Sequence, residues 1–166
     1  MVLFSLLPLY KRLAELCFFF NIYLHILLFC DIIIMNRLVN GGEKMTFEER
    51  KALVRGYLGK TVTIGIDRPV GYVHHKEKYS LHYPINYGYI PGVLGGDGEE
   101  LDVYLLGVST PVTEYTCRII GIAHRANDVE DKLIAAPDGM HFTVEEMAAA
   151  INFQEKYYET TVEGLN

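Results

Sequence analysis

The chain changes character at Met45, and that break decides how much sequence is available to build a core. Of the first 35 residues, 27 are hydrophobic, and Cys17 and Cys30 lie among them. The run from Leu16 to Ile34 approaches the length of about 20 apolar residues that a bilayer span needs. Asn21 and Asp31 interrupt it, which counts against spanning. A signal peptide is a second reading, weakened by the absence of a small-residue cleavage site after Cys30. A third reading starts from Gly41-Gly42-Glu43, just before Met45. Its codons, GGN-GGN-GAR, accommodate a GGAGG ribosome-binding sequence at a suitable distance from that methionine. Residues 1–44 are therefore an apolar leader, open to interpretation as a misassigned start or a membrane anchor. Residues 45–166 are expected to form the working domain.

The leader takes four of the 15 basic and three of the 21 acidic residues. The domain then has 11 basic and 18 acidic residues, net −7, and one cysteine, Cys117. An acidic balance argues against a nucleic-acid partner, because phosphate backbones are bound by basic surfaces. With no C-x-x-C pair, neither a thiolate zinc site nor a disulfide framework is expected. A lone cysteine fits a reducing, cytoplasmic setting. The length supports one small core rather than two.

Thr46-Phe47-Glu48-Glu49 has the capping-box pattern and opens a helix over about 47–57. Thr61–Ile66 alternates as a strand, ended by Asp67-Arg68-Pro69. Residues 70–80 read as a loop or ragged hairpin. Segments 83–92, 101–106, 117–123 and 132–136 read as further strands. Thr143-Val144-Glu145-Glu146 caps a second helix, with Met147, Ala150, Ile151, Phe153, Gln154, Tyr157 and Tyr158 mainly along one broad face. Five or so short strands and a C-terminal helix predict a mainly β fold with α: a small β-barrel with helices packed outside.

The sharpest chemical signal is Asp97-Gly98-Glu99-Glu100-Leu101-Asp102, four carboxylates in six residues after Gly95-Gly96. Like charges this close need solvent or a shared cation. Either the segment is a solvated acidic turn, or it holds a hard cation such as Mg²⁺ through carboxylate oxygens and water. Asp102 favours the second reading. It lies inside an apolar strand, on the face opposite Leu101 and Val103, where an unpaired carboxylate is costly. Asp128-Val129-Glu130-Asp131-Lys132 is a second acidic turn entering a strand, either a charged hairpin tip or the other half of a metal site. Lys132 is open to two roles, a surface ion pair or a point-charge phosphate ligand. His74 and His75 are adjacent on an extended chain and point apart, so a shared ion is not expected. Cys117, within an apolar strand, reads as packing.

Tyr83-Pro84-Ile85-Asn86-Tyr87-Gly88-Tyr89-Ile90 followed by Asp97-Gly98-Glu99-Glu100-Leu101-Asp102 resembles the soluble Mg²⁺-dependent inorganic pyrophosphatases, with their Y-P-x-N-Y-G-Y segment and D-x-D-[PE]-x-D signature. The resemblance runs from about Gly59 to Tyr158 and is to a short, divergent bacterial member. It implies a five-stranded OB-like barrel with the C-terminal helix outside, and Mg²⁺-dependent hydrolysis of inorganic diphosphate. By resemblance, Asp97, Asp102, Asp128 and Asp131 are metal ligands, with Glu130 competing at the last two positions. Glu99 takes the general-base position. Tyr83, Tyr87, Lys132 and Tyr157 bind substrate. Self-association is implied as well, whereas a membrane partner follows only from a genuine 1–44 leader. The alternatives are a hydrolase of another phosphoanhydride on the same fold and a non-catalytic barrel that binds phosphate ligands.

The chain also departs from the pattern. Glu99 replaces the usual central Asp, and Tyr158 stands where Lys is usual. The Glu, Lys-x-Glu and Arg expected upstream of the Tyr-Pro segment are missing, leaving Arg68, His75, Lys76 and Lys78 as candidate replacements.

Overall fold

Both capping boxes form. In the computed structural model, which describes residues 45–75 and 79–165, Thr46 accepts from the backbone of Glu49, whose carboxylate returns to the Thr46 backbone, and α1 runs Phe47–Arg55. The strands β1 (Thr61–Arg68), β2 (Val73–His75), β3 (Ser80–His82), β4 (Asn86–Leu94), β5 (Glu100–Leu105), β6 (Glu114–Arg125) and β7 (Lys132–Ala136) follow. Thr143 and Glu146 then cap α2, Val144–Glu155, and the chain adds a last strand, β8, Thr160–Gly164. The readings of residues 1–44, and of Lys76 and Lys78 as phosphate ligands, lie outside the described residues. Among the described residues, no helix is long and apolar enough to cross a membrane.

The expected barrel closes through five strands. β1 pairs with β4, β4 with β5, β5 in parallel with β7, β7 with β6, and β6 back to β1. At 12 residues, β6 is long enough to serve two neighbours. Its first part, Glu114–Arg118, pairs with β1, and its last part, Gly121–Arg125, pairs with β8. β2 pairs antiparallel with β3 as a separate two-stranded sheet. Where β4 crosses β1, a Cβ on Gly88 would lie 1.8 Å from the Gly65 carbonyl oxygen, so only glycine allows that approach.

Strand alternation divides the apolar residues into two cores. Leu101, Val103 and Leu105 of β5 fill the barrel interior with Ile64, Ile119, Ile122, Leu133 and Ala135. The alternate residues face outward. There Tyr87, Tyr104, Ile134 and Ala136 pack against Met147 and Ile151 of α2. Tyr83, Tyr87, Tyr104 and Phe153 form a chain of tilted and edge-on rings 5.0–6.1 Å apart. Asp102, Lys132 and Arg125 stand on this same outer face, where the cover by α2 runs out. The site therefore opens on the outside of the barrel, not in its lumen.

Candidate active site

The register that pairs Tyr87 with Tyr104 and Tyr89 with Asp102 brings the Tyr87 phenol diagonally onto Asp102. Its hydroxyl donates to Asp102 Oδ2 at 2.5 Å. Lys132 Nζ binds the same oxygen, and also donates to Tyr87 Oη at 2.8 Å and Glu130 Oε2 at 2.7 Å. Burial, reinforced by the Asp102 charge, drives the Tyr87 phenol well above its ordinary value, so it remains a donor. Asp102 is thus held from one side, with about a quarter of its side chain still exposed. Asp67 lies near it: burial and the Asp102 charge raise the Asp67 carboxyl against the pull of Arg68.

The two acidic turns meet. A Cβ on Gly96 would lie 2.1 Å from the Val129 carbonyl oxygen, so the turn carrying Asp97 and Glu99 sits directly against the 128–130 segment. Asp97 and Glu99 are exposed, and Asp97 Oδ1 accepts from the Glu99 amide at 3.1 Å. Asp128 and Glu130 are drawn inward by Arg125, whose Nη1 lies 2.9 Å from Asp128 and 3.2 Å from Glu130. Arg125 is buried. It donates twice to Glu155 of α2, at 2.6 and 2.9 Å, and the Tyr158 ring covers its guanidinium at 3.6 Å. Burial opposes the guanidinium's charge, and the bonds to Glu155 more than offset it, so Arg125 is held above its ordinary value.

Asp131 is not brought to this mouth. Its carboxylate is buried under α1, 3.2 Å from Arg50 Nε and 3.3 Å from His124 Nδ1, and it accepts from the Arg125 amide at 3.1 Å. The two side-chain contacts are ion-pair distances without hydrogen-bond alignment. The reason is strand alternation: with Lys132 facing outward toward Asp102, its neighbour Asp131 must face the other way. Glu130, two residues before Lys132, takes the place beside it.

Tyr83 accepts a bond from Arg68 Nη1 at 3.2 Å, and Arg68 also lies over the Tyr87 ring. Arg68, Tyr83 and Tyr157 line a cleft with His74, Gln154 and Tyr158. Tyr157 lies past the end of α2 and is 55% exposed. Of the candidate replacements among the described residues, Arg68 lines this cleft and His75 does not. His75 instead pairs with Ser80 of β3, 2.9 Å away. Burial pushes the Cys117 thiol up to about 12, in keeping with a packing role.

The model of the inorganic pyrophosphatase family matches residues 58–163. The chain belongs to the inorganic pyrophosphatase family. It is 36% identical over 62 residues to an inorganic pyrophosphatase of Aquifex pyrophilus, a match covering 35% of each chain. With that of Xylella fastidiosa it shares 28% identity over 106 residues, 60% of each chain. These matches therefore span between about a third and three fifths of the relatives' length. The crystal structure of inorganic pyrophosphatase from Ehrlichia chaffeensis superposes with a TM-score of 0.50 at 21% identity, covering 64% of this chain and 87% of that one. That likeness supports the OB-like pyrophosphatase fold.

Asp97 and Glu99, exposed, and Asp102, partly exposed, offer the hard oxygens that Mg²⁺ takes. The Lys132 ammonium lies against both Asp102 and Glu130, and the Arg125 guanidinium against Asp128 and Glu130. Among the described residues, no three carboxylate, imidazole or thiol groups converge on one point.

Sequence reasoning did not single out Arg125 or Glu155 as functional residues. They lie 30 residues apart and meet only in the fold. The one available signal was a charged residue at each end of an otherwise apolar pattern.

Proposed function

We propose that this chain hydrolyses inorganic diphosphate to two phosphates with Mg²⁺ as the metal. The observation that carries this is Asp102, fixed by Tyr87 and Lys132 at the mouth where the Asp97–Glu99 turn meets the second acidic turn. Mg²⁺ held by Asp97 and Asp102 would neutralise charge on the phosphates and make water more acidic.

The chain's own groups then have distinct tasks. Tyr87 and Lys132 fix one oxygen of Asp102 and leave the other toward the mouth. Arg68 and Tyr157, on the cleft, bind the phosphate that does not undergo attack; a guanidinium is suited to a phosphate's planar oxygen pairs. Tyr83 orients Arg68 through its hydroxyl. Glu99, exposed and without an ion pair among the described residues, accepts the proton of the attacking water at its carboxylate. Water adds to phosphorus, the bridging P–O bond breaks, and the second phosphate leaves with the bridging oxygen. Positioning and charge suffice for such a transfer. Self-association and a cytoplasmic setting belong to the same proposal.

A second reading, hydrolysis of a different phosphoanhydride, is favoured by the tyrosine-rich cleft beside Arg68, since aromatic faces suit an organic substituent. Phosphate release by the full chain from diphosphate, tripolyphosphate and nucleoside di- and triphosphates separates the two. Diphosphate as the fastest substrate supports the proposal. A nucleotide turned over faster replaces it with the second reading.

A further inference from the structure

The family match begins at residue 58, so α1 stands outside it, yet one side chain of α1 reaches both acidic turns. Arg50 is buried. Its guanidinium meets three acceptors spaced three residues apart along one turn. Nη1 donates to the Asp128 carbonyl at 2.5 Å, Nη2 donates to the Arg125 carbonyl at 3.1 Å, and Nε lies 3.2 Å from the Asp131 carboxylate. A planar fork with donors on several edges can hold such a turn, whereas the single ammonium of a lysine cannot reach all three acceptors. The stem of Arg50 touches the other turn. A Cβ on Gly96 would lie 2.9 Å from Arg50 Cδ, and the same atom would meet the Val129 carbonyl. Phe47, one turn earlier in α1, lies over the guanidinium, with its ring centroid 5.2 Å away.

The hydrogen bonds of Arg50 go to main-chain oxygens, while the side chains of Asp128 and Glu130 contact Arg125 and Lys132. Arg50 thus holds the backbone from which these groups project. Lys132, which follows directly, binds Asp102, and the turn resting on Arg50 through Gly96 carries Asp97. We propose that Arg50 is a positioning residue for the mouth: it seats the two acidic turns against each other and so fixes where Asp97 stands relative to Asp102. The inference rests on the functional reading above and adds α1 to the elements that build the site.

The test is Mn²⁺ affinity by calorimetry and steady-state hydrolysis of diphosphate, both on the full chain. Arg50→Met and Arg50→Lys are expected to weaken Mn²⁺ binding at least about fivefold and to lower kcat about 10–100-fold, as misplacement by an ångström does. KM should stay within about threefold, because the cleft at Arg68 is untouched. Arg50→Met leaves Asp131 buried without its guanidinium and risks unfolding. Arg50→Lys keeps a positive charge and the stem, and carries the test alone, with folding checked by circular dichroism. Ile119→Val is the control for a purely structural effect. It truncates the barrel core at the end of the β6–β7 pairing away from Lys132, and should lower Tm while leaving Mn²⁺ affinity and kcat within about twofold. A folded Arg50→Lys with wild-type affinity and kcat overturns the inference, as does an Ile119→Val that loses as much of both. A wild-type chain that binds Mn²⁺ but leaves diphosphate intact removes the functional reading alone, and the Mn²⁺ affinity of Arg50→Lys then decides the inference. A wild-type chain that binds no Mn²⁺ overturns both.

Discussion

Replacing Glu155 by glutamine should cost about 3 kcal/mol of stability while changing almost no volume. Each carboxylate oxygen receives two donors: Oε1 from Arg125 Nη2 at 2.6 Å and Tyr104 Oη at 2.5 Å, Oε2 from Arg125 Nε at 2.9 Å and Thr160 Oγ1 at 2.7 Å. Whichever way the amide turns, its NH₂ faces an Arg125 N–H, which cannot accept, while the neighbouring hydroxyl can reverse and accept from it. One charge-assisted bond, worth about 1.5–3 kcal/mol, is lost, and two N–H donors are left facing each other. Arg125 keeps Asp128 and Glu130, which holds the loss to the lower end of the roughly 3–5 kcal/mol for breaking a buried pair. In urea this lowers the midpoint by about 1.5 M at a slope near 2 kcal/mol/M, and in heating it lowers Tm by about 12 °C. Burial raises the Glu155 carboxyl, and bonds from Arg125, Thr160 and Tyr104 outweigh that, leaving it below its ordinary value. Its contribution is therefore full above the ordinary carboxylate range and is lost as pH falls through the lowered value. The difference between wild type and Glu155→Gln should shrink in that acid range. Glu145→Gln, on the exposed first turn of α2, serves as control. A Glu155→Gln loss below about 1 kcal/mol at neutral pH would refute the claim that this carboxylate anchors Arg125 and ties α2 to the barrel.

His124 supplies the opposite pH sign. Its contact with Asp131, reinforced by Glu163, raises it above the ordinary imidazole value. That stabilisation is complete below about pH 6.5 and disappears as pH rises through the raised value. Tm measured against pH should fall over that window in wild type and not in His124→Gln. Tyr87→Phe removes the donor to Asp102 and an acceptor for Lys132. It should lower kcat by about 10–100-fold with a smaller change in KM, since misplacing a group by an ångström costs on that order; steady-state kinetics decides it. Gly96→Ala would put a methyl 2.1 Å from the Val129 oxygen and force the two acidic turns apart. Mn²⁺ affinity and diphosphate turnover should both fall at least about tenfold, and near wild-type values for both would show that the approach of the turns does not matter.

What the sequence made legible was local chemistry. Thr46 with Glu49, and Thr143 with Glu146, announce their helices because a capping box is satisfied within four residues. Leu101, Val103 and Leu105 face one core because alternation is enforced by the strand itself. The same rule set Asp102 apart. Less local features were harder to read. Thr160–Gly164 is short and polar and becomes a strand only because β6 extends past β1's edge and offers it a partner. β6 runs on through His124 and Arg125, whose charges suggest a strand end until Asp131, Glu155 and Glu163 surround them. The choice between Glu130 and Asp131 beside Lys132 depended on which way the residue before β7 turns. Arg68 lies over Tyr83 and Tyr87, a contact between distant stretches of chain that no local pattern announces.

The central claim is tested most directly by following diphosphate and orthophosphate together by ³¹P NMR, with the full chain and Mg²⁺. Each diphosphate should be replaced by two orthophosphates, and a chelator should stop the conversion. Glu99→Gln should reduce the rate by about 100-fold or more, the range general acid–base groups supply. A diphosphate signal that persists equally with wild type and with Asp102→Asn would contradict the claim.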